Sequence, residues 1–122
     1  MRILITGGAG FIGANSATYF AKRGHHVVIF DNLSRIGSEK NLEWIKDECS
    51  VDFVKGDVRR FKELVGIITK KGPFDLILHL AAQVAVTTSV VNPREDFEIN
   101  AIGTFNLLES LQEYAVESPL RD

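Results

Sequence analysis

Thr6-Gly7-Gly8-Ala9-Gly10-Phe11-Ile12-Gly13 is the stretch that decides the fold. Its glycines at 7, 10 and 13 have G-x-x-G-x-x-G spacing. The stretch follows the apolar run Ile3-Leu4-Ile5 and opens a segment of helical period at Phe11. A glycine-rich turn between strand and helix is the setting a dinucleotide fingerprint requires. Gly7 permits the tight turn, Gly10 lets a pyrophosphate approach the backbone, and Gly13 lets the helix pack close to the strand. Free N–H groups at the helix start, with the helix dipole, favour the negative charge. Taken alone, the triplet is also compatible with an ordinary β-α turn.

Outward from this turn the pattern repeats. Further apolar runs are Val27-Val28-Ile29-Phe30, Val51-Asp52-Phe53-Val54 and Leu76-Ile77-Leu78, the last continuing into His79-Leu80-Ala81-Ala82. Short β-branched runs bounded by Gly or Asp predict parallel strands buried on both faces. Helices are predicted over residues 11–23, 41–46, 61–71 and 93–114, with Gly24 and Gly72-Pro73 as stops. Leu64, Ile67 and Ile68 share one face of the third. In the fourth, Phe97, Ala101, Phe105 and Leu108 follow 3- and 4-residue steps, and Gly103 inside it points to close packing. The alternation gives an α/β fold: a Rossmann-like, doubly wound parallel sheet of about four strands in the order 3-2-1-4, with flanking helices. The polar tail, residues 117–122, is expected to fray.

The chain has 122 residues, 45% of them hydrophobic, and a net charge of −2. That suits one soluble domain with its own core. The 14 basic residues are scattered, which argues against a nucleic-acid partner. No apolar run approaches the roughly 20 residues that span a bilayer, and no signal-peptide pattern opens the chain. The single cysteine, Cys49, reads as a small, partly buried apolar residue. A cytoplasmic location is expected. His25 and His26 precede the second strand with no third ligand in view, so no metal site is expected.

Asp31 closes the second strand, 18 residues after Gly13. A carboxylate there suits an adenosine ribose and repels a 2′-phosphate, which favours NAD. Arg35, four residues on, can pair with such a phosphate and argues the other way. Asp57, after the third strand, suits either the adenine amino group or the N-cap of a helix from Arg59 onward. His79 lies between Leu78 and Leu80 on a buried strand end. It reads as a neutral, hydrogen-bonded histidine rather than a catalytic one.

Together, the turn, Asp31-Asn32-Leu33-Ser34, Gly56-Asp57-Val58-Arg59 and His79-Leu80-Ala81-Ala82-Gln83 resemble the extended short-chain dehydrogenase/reductase family. These are the NAD-dependent nucleotide-sugar epimerases and dehydratases. Asn100-Ala101-Ile102-Gly103-Thr104-Phe105-Asn106-Leu107-Leu108-Glu109 is similar to the helix that follows their fourth strand. The resemblance runs from residue 1 to about 115. Within the family, Phe30-Asp31-Asn32-Leu33-Ser34-Arg35 with Asn41-Leu42-Glu43-Trp44, and His79-Leu80-Ala81-Ala82-Gln83-Val84-Ala85-Val86-Thr87-Thr88-Ser89 with Asn92-Pro93 and Asp96-Phe97-Glu98-Ile99-Asn100, resemble the CDP-paratose (CDP-tyvelose) 2-epimerases.

The resemblance implies a tightly held NAD that takes a hydride from a sugar carbon and returns it to the other face. It implies pyrophosphate contacts from Gly7, Gly10, Phe11, Ile12 and Gly13. It assigns Asp31, Asn32, Ser34 and Arg35 to the adenosine ribose, and Asp57 and Val58 to the adenine. Leu80, Ala81, Ala82 and Gln83 would line the cofactor. Gln83, Thr87 and Thr88 would face the sugar, although a solvated turn fits Thr87 and Thr88 equally.

Such enzymes work through a Tyr-x-x-x-Lys pair. Here Tyr19 is followed four residues on by Arg23, and Tyr114 by Ser118. No catalytic residue is therefore assigned. Residues 1–122 read as the NAD-binding portion of a larger enzyme, without its catalytic and substrate-binding remainder, and inactive by itself. Residues 76–80 would then form an open sheet edge, so self-association through that edge or the last helix is expected. A non-catalytic dinucleotide-binding module is the rival reading. A portion of a UDP-sugar 4-epimerase or a sugar-nucleotide 4,6-dehydratase is another.

Overall fold

A computed structural model describes residues 1–115, so the expectation for residues 117–122 lies outside the described residues. The elements are β1 (Arg2–Thr6), α1 (Phe11–Lys22), β2 (His26–Asp31), α2 (Ser38–Glu48), β3 (Asp52–Lys55), α3 (Phe61–Lys71), β4 (Leu76–His79), α4 (Val86–Val91), α5 (Pro93–Phe97), a π-helical turn (Glu98–Ile102) and α6 (Gly103–Tyr114). The strands form one parallel sheet in the order β3-β2-β1-β4, the order expected from the sequence. Leu4 of β1 stands opposite Val28 of β2 and Ile77 of β4.

The described residues fall into two compact units. The first comprises Met1–Gly56 and Phe74–Leu80, and contains the whole sheet with α1 and α2. Its core sets Ile3, Ile5, Val27 and Ile29 against Ala14 and Ala17 of α1 and Leu42 and Ile45 of α2. Leu4 and Val28, on the opposite side of the pleat, are buried as completely. This explains why the strands read as unbroken apolar runs. Helix α1 stops at Gly24, whose φ of +86° is the left-handed conformation typical just past a helix end. Helix α2 runs longer than the expected 41–46, because Gly37 and Ser38 start it a turn earlier. The Ser38 hydroxyl and amide both donate to the Arg35 carbonyl, at 2.7 and 3.1 Å.

The second unit comprises Asp57–Pro73 and the residues from Ala81 on. Helix α3 occupies the expected residues and buries Leu64, Ile67 and Ile68. The long helix expected over residues 93–114 is modified. Its backbone stays helical throughout, but one π-helical turn separates α5 from α6. The apolar series Phe97, Ala101, Phe105 and Leu108 marks its exposed side, with Phe97 59% and Phe105 58% accessible. The buried side carries Gly103, Asn106, Leu107 and Ser110. A Cβ on Gly103 would lie 2.6 Å from Val58 Cγ2, so the close packing expected at that glycine is present.

Candidate functional site: a dinucleotide cradle at the carboxyl edge of the sheet

Parallel α/β sheets bind ligands beyond the carboxyl ends of their strands. In the first unit, β1 ends at Thr6 and runs into the Gly7–Gly13 turn, β2 ends at Asp31, and β4 ends at His79. Gly7 adopts φ +70° and donates its amide to Phe30 O at 2.8 Å, fastening the turn to β2. Gly10 donates to Gly7 O at 3.0 Å. The first helical bond of α1 runs from Ala14 N–H to Gly10 O at 2.8 Å. The amides of Phe11, Ile12 and Gly13 therefore precede any intrahelical acceptor and are free to hold an anion.

The room for that anion depends on bare backbone. A Cβ on Gly13 would sit 2.2 Å from Gly7 O and 2.7 Å from Gly8 Cα. On Gly10 it would sit 3.2 Å from Gly7 O. Gly8, outside the triplet singled out in the sequence, is as constrained: its Cβ would meet Ile29 Cγ2 at 2.6 Å. Phe11 and Ile12 turn their side chains out to solvent, 81% and 65% accessible, and offer the site backbone only.

Asp31 is built into the turn. Its Oδ2 accepts from Ala9 N–H at 3.0 Å and its Oδ1 from Leu33 N–H at 2.8 Å. The second bond holds Leu33 at φ +58°. Asn32 makes a similar local turn, its Oδ1 accepting from Ser34 N–H at 3.0 Å. Ser34 and Arg35 are exposed. Asn41, on α2, donates from Nδ2 to Ala9 O at 2.9 Å. It stands 32 positions away in sequence, and the motif that contains it, Asn41-Leu42-Glu43-Trp44, assigns it no role at the turn.

His79 confirms the structural reading given to it. Its Nδ1 lies 2.6 Å from Thr6 Oγ1, and Leu80 N–H donates to that same oxygen at 3.1 Å. Burial pushes the imidazole below the ordinary histidine value, keeping it neutral. Thr6 is fully buried, so this network ties the ends of β1 and β4 together beneath the turn. His25 and His26 do not form a metal site. His25 Nδ1 pairs with the N-terminal amine at 2.9 Å, and His26 Nε2 with Asp52 Oδ2 at 2.9 Å. Among the described residues no group of three or more His, Cys, Asp or Glu side chains is placed to bind a metal ion.

In the second unit, Asp57 does not cap α3, which begins at Phe61 after Arg60. Instead, Asp57 Oδ1 accepts from Arg59 N–H at 2.9 Å, closing a local turn. Its carboxylate also binds the Arg59 guanidinium, with Nη2 to Oδ2 at 2.7 Å and Nε to Oδ1 at 3.0 Å. That hydrogen bond raises the Arg59 pKa above its usual value, against desolvation, and the Asp57, Glu95 and Glu98 charges add to the rise. Val58 is buried, and its carbonyl accepts from Asn106 Nδ2 at 3.0 Å. Gln83 is held by Asn100, a residue the motif contained but to which no role was given. Gln83 N–H donates to Asn100 Oδ1 at 2.8 Å, and Asn100 Nδ2 donates to Gln83 O at 3.0 Å. Asn100 lies within the π-helical turn, the kind of irregularity that often re-aims a side chain at a functional site. Thr87 and Thr88 lie on the short helix α4 and not in a solvated turn.

The tyrosines offer no acid–base pair. The Arg23 guanidinium stacks on the Tyr19 ring, 3.5 Å from its centroid, and Tyr114 ends α6 with an edge contact to Phe61. Among the described residues, no helix is long and apolar enough to cross a membrane.

A parallel sheet in 3-2-1-4 order, a glycine turn with free helix amides, and an acid closing β2 define a Rossmann-type dinucleotide-binding fold. The chain belongs to the GDP-mannose 4,6 dehydratase family, whose model matches residues 4–121. The resemblance to nucleotide-sugar epimerases and dehydratases is borne out. Over 114 residues the chain is 48% identical to a CDP-paratose 2-epimerase of Salmonella typhi, covering 93% of this chain and 33% of that protein. It is similar to the UDP-Glc/GlcNAc 4-epimerase of Campylobacter jejuni, with a TM-score of 0.84 and 33% identity over 93% of this chain and 34% of that one. The UDP-glucose 4-epimerase of Thermus thermophilus, solved in complex with NAD, gives a TM-score of 0.81 and 37% identity over 96% of this chain and 35% of that one. The chain thus spans about a third of the length of these relatives.

Proposed function

We propose that this chain binds the adenosine diphosphate part of NAD within a nucleotide-sugar epimerase of the CDP-paratose 2-epimerase type. The observation that carries the reading is the turn. Three helix amides lie free beside glycines whose Cβ positions are filled by backbone, at 2.2 Å for Gly13. That arrangement suits a pyrophosphate brought close to bare backbone. The amides of Phe11, Ile12 and Gly13 donate to it, and Gly7 and Gly10 leave it room. Asp31, with lone pairs left after binding Ala9 and Leu33, accepts from a ribose hydroxyl, and Asn32, Ser34 and Arg35 border the same ribose. The 48% identity to a CDP-paratose 2-epimerase supports the choice of reaction and of a CDP-linked sugar.

Bound NAD supplies a hydride acceptor and donor at a sugar carbon. For the second unit, motif resemblance alone supports assigning Asp57 and Val58 to the adenine. It likewise supports Ala81, Ala82 and Gln83, with Leu80 of the first unit, as lining for the cofactor. Gln83, Thr87 and Thr88 are assigned to the sugar on the same ground. With no lysine four residues beyond Tyr19 or Tyr114, residues 1–122 turn over no nucleotide sugar by themselves. Self-association with a second copy belongs to the proposal. β4 lies at a sheet edge in the first unit, and α5–α6 present Phe97, Phe105 and Leu108 in the second.

Calorimetric titration of NAD, NADP and ADP into the chain, repeated with Asp31→Ala, tests the cofactor reading. NAD binding tighter than NADP, with the preference lost in the variant, is expected. Absence of NAD binding, or tighter NADP binding, overturns it. Exchange of CDP-linked against UDP-linked sugars on a longer form carrying this segment separates the 2-epimerase reading from the UDP-glucose 4-epimerase reading. The Thermus thermophilus and Campylobacter jejuni structures favour the latter. Epimerisation by residues 1–122 alone would refute the claim of inactivity.

A further inference from the structure

We propose that Asn41 is a positioning residue for the pyrophosphate site, acting through the peptide that joins Ala9 to Gly10. The inference rests on the dinucleotide reading of the turn. Ala9 is fully buried at the centre of the turn, and its two polar groups are held by opposite sides of the first unit. Its N–H donates to Asp31 Oδ2 at 3.0 Å. Its carbonyl accepts from Asn41 Nδ2 at 2.9 Å. In the same peptide plane as that carbonyl, Gly10 N–H donates to Gly7 O at 3.0 Å. The Ala9–Gly10 peptide is thereby fixed at both ends, C=O by Asn41 and N–H by Gly7.

That peptide leads into the first free amides of α1. A carbonyl turned towards the mouth of the site would oppose an anion, whereas one held by Asn41 does not. This peptide rotates about ψ of Ala9 and φ of Gly10, and the glycine gives unusual freedom on its side. The restraint from Asn41 is therefore what pre-organises the turn before the ligand arrives. Asn41 is itself held on a rigid element. It sits in the first turn of α2, its amide bonded to Gly37 O at 3.0 Å, beside the core residues Leu42 and Ile45. Removing its donor leaves a buried carbonyl without a partner, a situation the turn escapes by rotating the peptide.

The test uses the 122-residue chain, with ADP and NAD as pyrophosphate ligands and adenosine as the ligand without one. Asn41→Ala lowers affinity for ADP and NAD about tenfold and leaves adenosine within about twofold, the ratio expected for one lost hydrogen bond. The Gly10 amide nitrogen, which shares the peptide plane with the Ala9 carbonyl, shifts in the NMR spectrum of the free variant. Asn41→Asp, equal in size but with acceptor in place of donor, gives the same selective loss and carries the test should the alanine variant unfold. In the unmodified chain, a through-hydrogen-bond coupling links the Asn41 side-chain amide to the Ala9 carbonyl carbon. Equal loss for adenosine and ADP, unchanged ADP affinity, or absence of that coupling overturns the proposal. Failure of the unmodified chain to bind ADP and NAD is a different result: it refutes the dinucleotide reading and takes this inference with it.

Discussion

Gly13→Ala tests whether the turn is as closed as it looks. The added methyl carbon would stand 2.2 Å from Gly7 O, 2.7 Å from Gly8 Cα and 3.0 Å from Gly7 C. All three are backbone atoms, so no side chain can swing aside. Relief requires the Gly7 carbonyl to move by about 1 Å, judged against an ordinary C···O contact of about 3.3 Å. Gly7 is pinned by its own amide bond to Phe30 O, and its carbonyl carries the Gly10 N–H bond at 3.0 Å. Overpacking of this kind costs about 1–3 kcal/mol, and the weakened turn bond adds about 1 kcal/mol. Against this, alanine is the better helix former by about 1 kcal/mol at a position inside α1. The net destabilisation is about 2 kcal/mol, or a fall in Tm of about 8 °C for a chain of this size. ADP affinity falls with it, because the amides of Phe11 and Ile12 move with the turn. Thermal unfolding by circular dichroism reads the first effect and calorimetry the second. A variant that melts with the unmodified chain, or binds ADP equally well, shows that the turn relaxes freely and that the steric argument is wrong.

Three further predictions concern Gly66, Gly103 and His79. Gly66→Ala, on α3 where an added Cβ meets nothing within 4 Å, raises stability by about 0.5–1 kcal/mol, seen as a higher urea midpoint at unchanged slope. Gly103→Ala destabilises by about 1–3 kcal/mol through the 2.6 Å approach to Val58 Cγ2. Combined with Val58→Ala it costs less than the sum of the two, since the second change removes the obstructing methyl; a double-mutant cycle with no coupling contradicts the contact. His79 carries a pH dependence. Burial lowers its folded pKa below the ordinary 6.5, so the unfolded chain binds the proton more readily. Its contribution is complete above about pH 6.5 and is lost as pH falls through the depressed folded value. His79→Gln flattens the stability profile below about pH 6.5, and an unchanged slope refutes the assignment.

What could be read from the sequence follows physical lines. Ile3-Leu4-Ile5 and Val27-Val28-Ile29-Phe30 read as buried parallel strands because their residues on both sides of the pleat are buried, which leaves no polar alternation. The glycine spacing announced the turn because steric exclusion acts over neighbouring residues. Helix α4 was missed because Val86-Thr87-Thr88-Ser89-Val90-Val91 is β-branched apart from Ser89 and buries nothing, so neither propensity nor period signals it. Along α5 and α6 the 3- and 4-residue steps are present, and they mark the exposed side. Two stripes run along the same helix, and the larger apolar one, through Phe97, Phe105 and Leu108, is exposed. The buried one is made of Gly103, Asn106, Leu107 and Ser110. Gly103 and Ser110 allow close approach there, Leu107 adds apolar burial, and the Asn106 and Ser110 side chains donate to Val58 O and Leu107 O. Hydrophobic periodicity ranks faces by side-chain size and cannot see a face selected for smallness.

Asp31 has a structural part in the turn besides the ribose contact expected of it. From its place at the end of β2, the carboxylate is expected to meet a ribose. In the folded chain both oxygens already hold backbone amides, Oδ2 that of Ala9 and Oδ1 that of Leu33. An acid at the end of β2 is thus part of the architecture of the turn before any ligand is bound. Asn41 completes the same device from the other side. The two side chains hold the donor and the acceptor of one buried residue, leaving the glycines around it free to face a ligand with bare backbone. The acidic residue and the glycine triplet are therefore not two independent marks of a dinucleotide site. They are two parts of one hydrogen-bonded unit, and the contact that joins them runs through Ala9, the residue between the glycines whose side chain carries no chemistry.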